Sequence, residues 1–91
     1  MINTTEKRKP AATVRDGNLK IVLWPQEGQH GPYFTANFVR SYKTENGWNE
    51  SSSIRATDLP RLASLAQLAY VELMGLQSLE RAKRMAQAVP A

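Results

Sequence analysis

At Thr57-Asp58-Leu59-Pro60 the chain changes period, and that boundary constrains its fold more than any other feature. Before it, apolar and polar residues alternate, aromatics are frequent and glycine-containing turns recur. After it, Leu and Ala return every three or four residues. A period of two belongs to a half-buried strand, and a period of 3.6 to an amphipathic helix. The spacing therefore predicts an α+β fold: a four-stranded antiparallel sheet followed by one long C-terminal helix, in the order ββββα. A helix covers one face of such a sheet and leaves the other open to a ligand.

The first strand falls at Thr13-Val14-Arg15, and Asp16-Gly17 supplies a turn, because glycine tolerates positive φ without steric cost. Leu19 to Trp24 reads as the second strand, stopped by Pro25, and Gln26 to Pro32 as a glycine-rich loop. Tyr33 to Lys43 is the third strand. Asn46-Gly47 is a strong hairpin signal, and Trp48 to Arg55 follows as the fourth strand. Alternation assigns Ile21, Leu23, Phe34, Ala36 and Phe38 to the covered face. Lys20, Trp24, Tyr33, Asn37, Lys43, Asn49, Ser53 and Arg55 go to the open one, with Trp48 and Ile54 on the side opposite Asn49. Arg40 falls on the covered side, which places it at the sheet edge, against Glu72 or at a bulge.

The helix opens with Thr57 or Asp58 as N-cap and Pro60 in its first turn, where a missing N–H costs nothing. Leu62, Ala66, Ala69 and Leu73 centre an apolar stripe that Leu59, Ala63, Leu65 and Tyr70 widen. Continued to about Ala88 the helix reaches roughly 45 Å, longer than four or five turns of sheet contact require. A second stripe, Leu68, Val71, Leu79, Ala82, Ala86 and Val89, has the spacing for packing on another helix. It points to a homodimer contact or a protein-partner surface. The alternative is a break at Gly75 that folds the remainder back onto the sheet. The chain thus divides into a basic arm (1–12), a sheet-plus-helix domain (13–74) and a helical extension (75–91).

A chain of 91 residues forms one domain and buries a modest share of its surface, a shortfall that a partner chain remedies. The absence of cysteine excludes disulfides and thiolate chemistry. No apolar run approaches the roughly 18 residues that span a bilayer, and Met1 to Thr13 lacks a signal peptide's apolar core. A cytoplasmic, soluble protein is the expectation. The net charge of +4 divides unevenly: +3 over residues 1–20, −1 over 21–50 and +2 over 51–91. Such a field favours polyanions, although many basic domains bind none. Lys7-Arg8-Lys9 either follows a phosphate backbone or serves as a solubilising tail.

Catalytic chemistry finds no foothold. His30 is the lone histidine, in a glycine-rich loop, and without cysteine a zinc site lacks ligands. Ser51-Ser52-Ser53 has neither a neighbouring histidine nor a Gly-x-Ser-x-Gly turn. Glu27, Glu45, Glu50, Asp58, Glu72 and Glu80 fall in turns, a cap or the helix surface, without the pattern of an acid/base pair. There is no phosphate loop or dinucleotide fingerprint. The expectation is a non-enzymatic chain with no catalytic residue, metal or cofactor. The open sheet face instead mixes aromatic planes, amides and cations, as single-stranded DNA or RNA requires. Lys20, Lys43 and Arg55 would neutralise phosphates, Trp24 and Tyr33 would stack bases, and Arg15 would add affinity. The competing reading is a solvated face on which Trp24 and Tyr33 pack against each other.

The Val14-Arg15-Asp16-Gly17 turn region, Leu19 to Trp24, Phe34 to Lys43, and Ile54 through Asp58-Leu59-Pro60 carry a resemblance over about residues 13–74. Their order resembles the single-stranded-DNA-binding fold of positive cofactor four, a transcriptional coactivator, shared as a repeat by the Whirly proteins. That resemblance implies a homodimer whose curved sheets bind unpaired DNA. Ile21-Val22-Leu23-Trp24, Val39-Arg40-Ser41-Tyr42-Lys43, Trp48 and Asp58-Leu59-Pro60 are also similar to small bacterial proteins often encoded on mobile elements, a resemblance that carries no established activity; a transcription or mobile-element regulator is the expected role. Two departures from the coactivator pattern stand out: fewer sheet cations, and a helix that extends further. The extension, with Glu80, Arg81, Lys83 and Arg84, suits an inhibitor or protein-interaction module as the alternative function.

Overall fold

The computed structural model describes residues 9–88, so Lys7, Arg8 and Val89 lie outside the described residues. Four antiparallel strands in the order β1-β2-β3-β4 form one meander: β1 (Ala12–Asp16), β2 (Leu19–Gly28), β3 (Gly31–Thr44) and β4 (Gly47–Ser51). A single 3-10 turn, Ala56–Asp58, leads into helix α1, Leu59–Ala88. This is the ββββα architecture that the change of period predicts. The sheet begins at Ala12, and the Ala11 N–H already bonds the Leu23 carbonyl at 2.8 Å, so the end of the basic arm belongs to the sheet.

Two expectations about the middle of the chain are corrected. Pro25 does not stop β2, and Gln26 to Pro32 is not an open loop. The strand runs on to Gly28, and Gly28 pairs with Gly31 around a two-residue turn. Proline is tolerated because its nitrogen points toward β1, and β1 reaches only as far as Leu23. The result is a long β2–β3 hairpin that projects beyond the other strands.

Leu19, Ile21, Leu23, Leu65 and Ala69 form the core, bordered by Val14, Ile54, Leu62, Leu73 and Leu76. Burial of each large aliphatic side chain contributes about 1.5–3 kcal/mol. The core line on α1 is therefore Leu62, Leu65, Ala69, Leu73 and Leu76; Leu59, Ala63, Ala66 and Tyr70, assigned to the same stripe from sequence, are exposed. α1 packs over β1 and β2. Phe38 and Tyr42 of β3 share the core's side of the sheet by register yet remain 40% and 36% exposed.

Helix length matches hairpin length. Near its start, Arg61 Nη2 donates to the Asp16 carbonyl at 2.7 Å. Near its end, Arg84 approaches the hairpin tip: a Cβ built on Gly31 would stand 3.8 Å from Arg84 Nη1. From Arg61 to Arg84 is roughly 35 Å of helix, and the ten residues of β2 span roughly 33 Å. The projecting hairpin thus gives α1 more sheet to follow than four compact strands would. Gly75 neither breaks the helix nor marks a close crossing, since a Cβ there would meet nothing within 4 Å.

Asp58, 6% exposed, fastens the helix entrance. Its Oδ1 accepts from Arg61 Nη1 at 3.3 Å, and its Oδ2 faces Arg55 Nε at 3.6 Å. Arg61 also reaches Asp16 Oδ2 at 3.5 Å and Asn18 Oδ1 at 3.3 Å. One guanidinium therefore ties the first turn of α1 to the β1–β2 turn. Arg40 takes none of the three places foreseen for it. Its Nε donates to the Ser53 carbonyl at 2.9 Å, and its guanidinium lies 5.1 Å from the centroid of the Tyr42 ring. Because α1 does not reach over β3, the segment crossing from β4 to the helix supplies the partner.

Candidate nucleic-acid interface

Register decides which side chains share the face opposite α1. Arg15 pairs with Lys20, Lys20 with Val39, and Lys43 with Trp48. Directly opposed residues point to the same side. Arg15, Lys20, Trp24, Tyr33 and Lys43 therefore stand together on the outer face, as the alternation predicts. Trp48 and Glu50 join them from β4.

Two hollows mark this face. The first, about 540 Å³, is lined by Lys20, Val22, Trp24, Gln26, Asn37, Val39 and Glu50, among others. Val22 forms its apolar floor at 7% exposure, although no helix covers this side. The second, about 330 Å³, is lined by Arg15, Gly17, Asn18, Ser41 and Trp48. Between them Lys20 Nζ meets Glu50 Oε2 at 3.4 Å. Glu50 is 61% exposed at its side chain, so water and salt screen the pair and its energy is small. Lys20 can exchange this carboxylate for a phosphate at little cost. Each hollow thus offers one indole, polar edge groups and a cation.

Three placements differ from the sequence reading. Asn49 pairs with Tyr42 and so lies on the α1 side, while Trp48 lies on the outer face. The cause is the length of the turn: a two-residue turn sets even-numbered residues of β4 opposite odd-numbered residues of β3. The turn residues are Glu45 and Asn46, with Thr44 paired to Gly47. Thr44 Oγ1 organises it, accepting from the Asn46 N–H at 3.2 Å and from Asn49 Nδ2 at 3.0 Å. Gly47, at φ 113°, takes the left-handed position after it. The odd-even alternation of β3, carried unchanged through that turn, assigns every β4 side chain to the opposite face. Ser53 and Arg55 lie past the end of β4 at Ser51. Arg55 leads into the helix entrance, ion-paired with Asp58, and takes no part in the outer face. Trp48 is the functional candidate that sequence reasoning missed. Asn46-Gly47 was the available signal, since a two-residue hairpin turn at this point puts Trp48 opposite an odd-numbered residue of β3.

Tyr33 sits opposite Gln26 near the hairpin tip, 51% exposed, with its ring against Gly28. Gln26 Nε2 donates to Thr35 Oγ1 at 3.0 Å on the same face.

The chain matches no protein-family model, no curated protein and no solved structure. Beyond the sheet, α1 presents Leu68, Val71 and Leu79, each more than half exposed, with Ala82 and Ala86 also exposed. Among the described residues no helix is long and apolar enough to cross a membrane.

Proposed function

We propose that this chain is a non-enzymatic, dimeric, cytoplasmic protein that binds single-stranded DNA or RNA on the outer face of its sheet. One observation carries the reading: a face free of its own helix bears two indole-containing hollows with Arg15, Lys20 and Lys43 around them. Bases stack on Trp24 and Trp48, with Tyr33 extending the track toward the hairpin tip. The three cations follow the phosphates. Gln26, Asn37 and Glu50 meet base edges or ribose hydroxyls, which gives limited readout. The resemblance to the positive-cofactor-four and Whirly fold supports the same ligand, and a regulator of transcription or of a mobile element is the role we propose for it.

A salt titration of binding to fluorescent oligonucleotides tests it. Three phosphate contacts give a slope of log affinity against log salt near roughly −2 for single strands. A flat response, or equal preference for duplex, would count against the reading. Parallel DNA and RNA strands of one sequence distinguish the two ligands.

The exposed stripe of Leu68, Val71, Leu79, Ala82 and Ala86 favours a second reading, an inhibitor or interaction module that docks a helix of another protein. The two surfaces lie on different layers of the molecule, so both can be used at once.

A further inference from the structure

We infer that the free edge of β3 between Pro32 and Phe38 pairs with the same segment of a second copy, joining two sheets into one. β3 has fourteen residues, but β4 pairs only with Arg40 to Thr44. β2 occupies the other side of β3 from Gly31 to Arg40. The Ser41 N–H bonds the Asn18 carbonyl at 2.8 Å, so odd-numbered residues of β3 direct their backbone groups toward β2. Phe34, Ala36 and Phe38 therefore direct N–H and C=O to the opposite edge. Among the described residues no strand pairs there.

Proteins guard such edges with charged side chains, proline, bulges or a covering element. Pro32 guards only the start of this one: Tyr33 to Val39 contains neither charge nor proline, and among the described residues α1 packs on β1 and β2 instead. Phe38 stays 40% exposed beside the unpaired backbone. An aromatic, uncharged edge strand of this length is a pairing surface.

The ends of the free stretch identify the occupant. At one end is the Gln29-His30 hairpin tip; at the other, Ser51 of β4 stands opposite Arg40. Just before Ser51 the first hollow wraps round the edge, where Phe38, Ser51 and Ser52 line a notch. An antiparallel copy fits this edge when its own hairpin tip stops at that notch. The two-fold axis then falls close to Phe34. Phe34 meets Phe34 of the second copy, a favourable aromatic cross-strand pair. The Ala36 N–H meets the Pro32 carbonyl of the second copy, and Pro32, without an N–H, ends the ladder. No charge is brought against its like, and the contact is isologous and closed. The outer faces become continuous across the axis. The pairing itself needs no nucleic acid, so it stands or falls separately from the proposed ligand.

The test combines mass measurement by light scattering across a concentration series with amide hydrogen exchange read by NMR, both without oligonucleotide. The mass is expected to double, and exchange at Phe34 and Ala36 to slow by about tenfold or more in step with it. Ala36→Pro removes an N–H that makes no bond among the described residues, and is expected to give a monomer with the parent circular-dichroism spectrum. A chain that stays monomeric at every concentration overturns the inference. So does a dimer whose Phe34 and Ala36 amides exchange freely, or an Ala36→Pro variant that remains dimeric. Should Ala36→Pro fail to fold, hydrogen exchange in the unaltered chain decides.

Discussion

Trp24 and Trp48 carry the outer face at the scale of single residues, because an indole offers the largest aromatic plane there for stacking on any base. Stacking is worth roughly 1–3 kcal/mol per base. Trp24→Ala is therefore expected to weaken oligonucleotide binding by roughly 5- to 150-fold, measured by fluorescence anisotropy, with the circular-dichroism spectrum retained. Trp48→Ala should act similarly, since its indole lines a hollow of its own. The cations separate by position. Lys43→Ala should make the salt slope shallower by roughly 0.7 for the loss of one phosphate contact. Arg55→Ala should leave it unchanged, because Arg55 faces Asp58 at the helix entrance. An equal effect of both substitutions would contradict the register-based assignment of faces.

The elements explain which parts of this arrangement could be read from sequence. The strand-to-helix transition was legible because hydrophobic period depends only on local spacing, and Asp58-Leu59-Pro60 carries its own start signal. The face of β2 was legible for the same reason: Leu19, Ile21 and Leu23 alternate with Lys20 and Trp24. Turn registers were not. Pro25 looked like a strand end, but its tolerance depends on where β1 stops, which is a property of the neighbouring strand. Trp48 and Asn49 exchanged faces because the two-residue turn Glu45-Asn46 inverts the odd-even alternation between β3 and β4. The helix stripe drifted as well. Leu65 rather than Ala66 became its buried centre, since α1 runs along β2 and contacts β1 on one flank. Leu65, 1% exposed, makes the sharper stability test. Leu65→Ala is expected to cost about 2–5 kcal/mol in urea denaturation. Leu68→Ala, at 57% exposure, should stay within about 0.5 kcal/mol in the monomer.

On the scale of the whole molecule, the fold divides labour between its layers. One helix covers half of one sheet face, fastened at the helix entrance by Arg61 and drawn along the hairpin to Arg84. Among the described residues nothing covers the other face, and no strand pairs with the edge of β3 between Pro32 and Phe38. A small sheet with so little of its own chain over it is suited to binding something large and flexible. NMR chemical-shift mapping with a short single-stranded oligonucleotide at low salt tests this most directly. The account predicts that the Trp24 and Trp48 indole signals move together with the backbone of Lys20, Val39 and Lys43, while Leu68, Val71 and Leu79 on α1 stay in place. Shifts confined to the α1 stripe, or no shift at saturating oligonucleotide, would contradict it.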